Sequence, residues 1–194
     1  SAALAALRGI LVQHGLSSKP SATLLIEDRS MKSDRLVYEP LTQGALGDFH
    51  ALVQDEHVRR YLMDGELFLR EWSADRIRDS ADLFERRGVG LWLVRLRSND
   101  ELVGFCGFLE IPSMHREPQL LYAMFERFTR KGYAAEMARA AIAEARSKRG
   151  FASIHASVDE PNVRSVRVLE KLGFRRVAVC EGRFGNVLQM VLDE

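Results

Sequence analysis

The chain has 194 residues, 46% of them hydrophobic and 28% charged, with a formal net charge of +1. That length suits one domain around a single core, and the composition is that of an ordinary globular protein. The near-neutral balance excludes a globally basic nucleic-acid binder, and no uninterrupted apolar run is long enough to span a bilayer.

The first stretch, Ser1 to Leu11, is rich in Ala and Leu. Arg8 interrupts its apolar run and no cleavage pattern follows, so it does not read as a secretory signal. Leu4, Leu7 and Leu11 carry the spacing of a short amphipathic helix, whose face would pack on a partner subunit in a homodimer. Gly15 to Ala22 turns to Ser, Lys, Pro and Gly, as a linker does. Residues 1–30 are therefore expected to form an extension, and 31–194 the compact domain.

Leu36 to Leu41 alternates as a first strand. Thr42 is placed to cap a helix through Phe49 and Val53, and His57 to Met63 continues as helix. Ser73 is read as the cap of a stronger helix, with Asp75 in its first turn, Ile77, Ala81 and Phe84 on the buried face, and Gly88 as stop. Leu91 to Leu96 is a strand, Ser98-Asn99-Asp100 a turn, and Leu102 to Ile111 its hairpin partner, stopped by Pro112. Gln119 to Phe125 is another apolar strand. Gly132 to Arg149 is the longest helix, with Met137, Ala138, Ala141 and Ala145 on one face. Ser153 to Val158 is a strand, and Asn162 to Leu172 is a helix ended by Gly173. Arg176 to Cys180 and Val187 to Leu192 are the last strands. Runs of strands with helices between them predict a mixed α/β fold rather than a doubly wound sheet.

Cys106 and Cys180 form no Cys-x-x-Cys pair, and the five histidines show no His-x-x-x-His spacing. No metal site is expected, and a reduced cytoplasmic setting fits.

The chemistry concentrates where a strand runs through Tyr122, Met124 and Phe125 into a loop, Thr129-Arg130-Lys131-Gly132, and a helix opens at Tyr133-Ala134. A helix N-terminus presents unpaired N–H groups and partial positive charge, which suits a phosphate. Gly132 permits close approach, Ala134 is small, and Arg130 and Lys131 add charge. The expected ligand is a pyrophosphate. The triphosphate loop Gly-x-x-x-x-Gly-Lys-Ser/Thr and the dinucleotide motif Gly-x-Gly-x-x-Gly are both absent.

A second motif, Asn162-Val163-Arg164-Ser165 leading to Glu170-Lys171-Leu172-Gly173-Phe174, follows one strand later. Together, in this order and separation, the two resemble the GNAT superfamily of N-acetyltransferases. Trp92 ahead of Gly104-Phe105-Cys106-Gly107 resembles the hairpin of its ribosomal-protein N-terminal acetyltransferase branch. The likeness runs from Asp34 to the C-terminus. It implies a central, mostly antiparallel mixed sheet flanked by helices on both faces, and acetyl-CoA as cosubstrate. It implies cosubstrate contacts at Met124, Phe125, Arg130, Lys131, Gly132, Tyr133, Ala134, Asn162, Ser165 and Arg167. The sequence departs from the family pattern at Arg130, where Gly is usual, and at Leu169, where many members carry a tyrosine that protonates the leaving thiolate.

The implied reaction is direct attack of a primary amine on the acetyl thioester in a ternary complex, with a backbone N–H near Met124 and Phe125 polarising the carbonyl. Ser165 matches the position used by the branch to assist the thiolate. Glu181, read as lying in a turn, is the first candidate base, and Glu117 the second. Cys106 reads as a buried, inert thiol. Of Arg164, Arg167 and Lys171, which share a helix face, Arg167 is the expected ligand contact and the other two are expected to face solvent. Tyr61, Phe68 and Trp72, with the hairpin near Phe184, are expected to line the acceptor pocket. The acceptor is a protein N-terminus or a small-molecule amine, with no nucleic-acid or membrane partner. A strongly acidic pocket would favour a polycation. The competing reading is a non-catalytic CoA-binding or partner-binding domain.

Overall fold

The computed structural model describes residues 29–111, 117–183 and 185–193. The expectations for residues 1–28, among them the Leu4–Leu11 helix and its dimer face, and those for Pro112 and Phe184, lie outside the described residues. The strands are β1 (Met31–Lys32), β2 (Leu36–Pro40), β3 (Leu91–Leu96), β4 (Leu102–Leu109), β5 (Gln119–Met124), β6 (Ile154–Asp159), β7 (Arg175–Gly182) and β8 (Gly185–Leu192). The helices are α1 (Leu46–Gln54), α2 (Glu56–Leu62), α3 (Arg70–Arg87), α4 (Tyr133–Arg149) and α5 (Val163–Lys171).

The strands form one sheet in the order β1-β2-β3-β4-β5-β6-β8-β7. Every neighbouring pair is antiparallel except β5 and β6, which run parallel because α4 connects them. This is the expected mostly antiparallel mixed sheet. The period-two alternation of the strands builds a core on each face. Trp92 and Val94 of β3 pack with Met137, Ala138 and Ala141 of α4. Leu91 and Leu93 of the same strand pack with Phe49 and Leu52 of α1 and Ile77 of α3. The helices thus cover both faces. No helix among the described residues is long and apolar enough to cross a membrane.

Several local expectations are corrected. β1 adds a short edge strand that the alternation did not announce. α1 begins at Leu46 after a 3-10 turn, and the Thr42 side chain makes no capping bond. The cap instead lies at Asp55, whose carboxylate accepts from the N–H groups of His57 and Val58 and opens α2. α3 begins at Arg70, so Ser73 is buried inside the helix with its hydroxyl 2.9 Å from Nδ1 of His50. Ala81 is exposed, and Ser80 takes the inward position, its Oγ accepting the N–H of Leu91 at 2.7 Å. The helix is longer because Trp72 already belongs to the buried stripe.

Candidate active site

β5 and β6 are in register at one pair only, Gln119 with His155. Beyond it they diverge, and a cleft of about 600 Å³ opens between them. On its other side β5 is fully paired with β4, and Phe125 donates its N–H to the carbonyl of Val103 at 3.1 Å. Backbone groups alternate in direction along a strand, so the N–H of Met124 faces the opposite, splayed edge. Of the two residues expected to polarise a carbonyl, Met124 lines the cleft and Phe125 has its N–H occupied. Gly104 makes this pairing close: a Cβ there would lie 2.0 Å from the Ala123 carbonyl oxygen.

One end of the cleft is the N-terminus of α4. Its cap position, Gly132, has φ +84° and supplies no side-chain cap, so the first N–H groups of the helix are left for an outside acceptor. Arg130 also has a positive φ, +62°, in a region where an L-residue is disfavoured by about 1–2 kcal/mol. The glycine usual there avoids that cost. The loop is buttressed from the turn between β1 and β2. Arg35 donates from Nη1 to the Lys131 carbonyl at 2.9 Å, and its backbone N–H and Nε reach the Glu136 carboxylate at 3.0 and 2.8 Å. Its guanidinium lies 4.3 Å from the Tyr133 ring centroid, and Ser33 donates to Glu136 at 2.6 Å. Burial pushes the Glu136 carboxyl up, but these hydrogen bonds and the Arg35 charge outweigh it and hold the group below its usual value. Glu136 therefore faces the turn between β1 and β2, although it belongs to the first turn of α4.

α5 forms the other wall. Asn162 caps it by accepting the Ser165 N–H at 3.3 Å. The Ser165 hydroxyl lies 2.8 Å from that of Tyr122 on β5. Arg164, Arg167 and Lys171 are all exposed, as expected of the first and last, and all three line the rim. Leu169 is buried, with no hydroxyl at that turn. Of the residues expected to touch the cosubstrate, all but Phe125 and Lys131 line the cleft.

On the third side α2 contributes His57, Val58, Tyr61 and Leu62. Tyr61 is where the sequence reading puts it. Phe68 and Trp72 are not: their rings stack 4.4 Å apart and belong to the α1/α3 core, away from the cleft lining. Glu181 lies within β7, exposed, and Glu117 is bonded to Arg87 at 2.6 Å; neither lines the cleft. Among the described residues the carboxylate that does is Asp159, raised above its usual value by burial. Cys106 is fully buried, and burial pushes its thiol up. Sequence reasoning missed Tyr122 and Asp159 in these roles. Both stand in strands whose apolar pattern reads as core, and only the strand separation exposes them.

The family model of the acetyltransferase (GNAT) domain matches residues 35–175. Over 150 residues the chain is 28% identical to YoaA of Bacillus subtilis strain 168, an uncharacterised N-acetyltransferase, covering 77% of this chain and 84% of YoaA. YjdG, an uncharacterised N-acetyltransferase of the same organism, is 34% identical over 88 residues, 45% of this chain and 52% of YjdG. Among solved structures, an acetyltransferase from Agrobacterium tumefaciens superposes with a TM-score of 0.73 at 17% identity, covering 94% of this chain and 99% of that one. A RimL ribosomal-protein alpha-N-acetyltransferase in complex with coenzyme A does so with a TM-score of 0.71 at 14% identity, covering 83% and 95%. At those identities the structural likeness is one of fold.

Proposed function

This chain belongs to the GNAT acetyltransferase family and is an N-acetyltransferase, and from that premise we propose that it transfers the acetyl group of acetyl-CoA to a single primary amine, an α-amine of a peptide or a comparable small-molecule amine, by direct attack in a ternary complex. We include residues 31–194 in the catalytic unit, because β8 pairs with β6 and closes the wall of the cleft.

The observation that carries this reading is the wedge between β5 and β6 with an uncapped helix N-terminus at its end. In it the CoA pyrophosphate sits on the N–H groups after Gly132, and Arg164, Arg167 and Lys171 meet the remaining phosphate charge. The pantetheine arm lies along the free edge of β5. The Met124 N–H accepts the developing charge on the thioester oxygen, and Ser165 faces the sulfur. The amine enters from the α2 side, past His57 and Tyr61.

The charge of the lining bears on the acceptor. Among the described lining residues Asp159 is the one carboxylate, and the cations Arg130, Arg164, Arg167 and Lys171 stand at the phosphate end. A polycation would find no acidic cluster among those residues to hold its further charges. An α-amine, with a pKa of about 8, is deprotonated far more readily than a lysine side chain at about 10.4. It therefore needs little help from a base, and Asp159 with solvent suffices to take its proton.

The test is calorimetric titration with acetyl-CoA, followed by thiol release over a panel of peptides with free N-termini, lysine side-chain amines and polyamines. Saturable micromolar binding with turnover on α-amines is expected. Turnover confined to polyamines would overturn the acceptor assignment, and absence of binding would overturn the assignment of the cleft.

A further inference from the structure

Tyr122 and Ser165 come from different elements, 43 residues apart in sequence, and their hydroxyls meet at 2.8 Å inside the cleft. A tyrosine hydroxyl carries one hydrogen. The acceptors that Tyr122 reaches both belong to Ser165: the Oγ, and the backbone carbonyl oxygen at 3.4 Å. The shorter and better contact is the Oγ.

A serine in a helix has a common alternative, which is to donate back to the carbonyl four residues earlier. Ser147 in α4 does this, with its Oγ 2.6 Å from the Ala143 oxygen. Ser165 does not: its Oγ is turned to Tyr122. When Tyr122 donates to it, the hydrogen of Ser165 is left to point elsewhere, and its O–H is polarised by the bond it accepts. The remaining direction is the cleft that both residues line.

We propose that Tyr122 is a positioning residue that fixes the Ser165 hydroxyl as the hydrogen-bond donor to the departing CoA sulfur, in place of the hydroxyl that Leu169 cannot supply. The proposal rests on the acetyl-transfer reading above. In the reaction the amine lone pair forms the C–N bond to the acetyl carbon. The C–S bond breaks and its electron pair stays on sulfur, where the Ser165 O–H stabilises it. The proton lost by nitrogen leaves to Asp159 and solvent, and a solvent proton completes the thiol. Burial pushes the Tyr122 hydroxyl up to about 12, against the lowering effect of its bond to Ser165. Tyr122 thus stays neutral throughout the working range, orienting its partner without giving up its proton.

The experiment compares Tyr122→Phe, Ser165→Ala and the double variant, each measured for acetyl-CoA Kd by calorimetry, for kcat with a peptide α-amine, and for Tm. Each single variant is expected to lose roughly tenfold in kcat with Kd within about twofold of the parent, as removal of one hydrogen bond to a developing charge does. The double variant is expected to be no worse than Ser165→Ala, because the two hydroxyls act as one unit. An unchanged kcat in Tyr122→Phe, multiplicative losses in the double variant, or a loss that follows Kd and Tm would overturn the proposal while leaving acetyl transfer intact. A parent protein that binds acetyl-CoA but acetylates no amine would overturn both.

Discussion

α4 and α5 begin at the same cleft, yet their N-termini are finished differently. α5 is capped by its own chain, through the Asn162 side chain on the Ser165 N–H. α4 starts at a left-handed glycine with no side-chain cap, and the nearby carboxylate, Glu136, is drawn away to Arg35 and Ser33 in the turn between β1 and β2. Both helix ends carry the same partial positive charge. The difference decides their work: a capped end holds a side chain in place, here Ser165, while an open end is free to take an anion from outside. In the second case the ligand completes the helix.

The comparison is broken most severely by Gly132→Glu. It puts a Cβ 3.4 Å from Arg35 Nη2 on a backbone with φ +84°, and a negative charge where the pyrophosphate would sit. Acetyl-CoA binding is expected to fall by about 100-fold or more in calorimetry, as charge-assisted contacts are lost and repulsion added. Arg35→Ala leaves the open end in place but removes its buttress on the Lys131 carbonyl and Tyr133 ring. A roughly tenfold rise in Kd for acetyl-CoA with little change in kcat at saturation is expected, because the loop must then be ordered by the ligand. A loss confined to kcat would argue against that role.

At the capped end the expected effect is on stability. Asn162→Ala should cost about 1 kcal/mol, read as a drop in Tm of roughly 2–4 °C for a chain of this size. A larger loss of acetyl-CoA affinity than of stability would mean that Asn162 touches the cosubstrate directly. The smallest effect is a pH dependence. Glu136 is held below its usual value in the folded state, so the unfolded chain binds that proton more readily. Its contribution is therefore complete above the ordinary carboxylate value of about 4.3 and disappears as pH falls through the lower folded value. The Tm difference between the parent and Glu136→Gln should be present at neutral pH and vanish in acid; a difference that persists there would mean that the charged contacts of Glu136 with Arg35 and Ser33 are not its source.

Much of the fold could be read from local pattern. The strands expected at Leu91–Leu96 and Leu102–Ile111 and the apolar face of α4 depend on residues a few positions apart, and the structure has all three, the second strand ending at Leu109. Ser73 and Trp72 mislead for one reason. A serine ahead of an apolar stripe looks like a cap and an aromatic beside it looks like a pocket wall, but Phe68 stacks on Trp72 and draws both residues into the core. Helix caps and core positions share residue types, and packing partners decide between them.

By itself the sequence determined the groups that need only near neighbours: Gly132 ahead of an Ala-rich helix, Asn162 three residues before Ser165, and the family likeness those motifs carry. The tertiary structure alone decided which side chains look into the cleft. Tyr122 meets Ser165, and Arg35 meets Glu136 across 101 positions, because β5 and β6 are joined through α4 and part after one registered pair. The register between strands is set by the whole sheet and its two cores, and no local spacing encodes where that pairing ends.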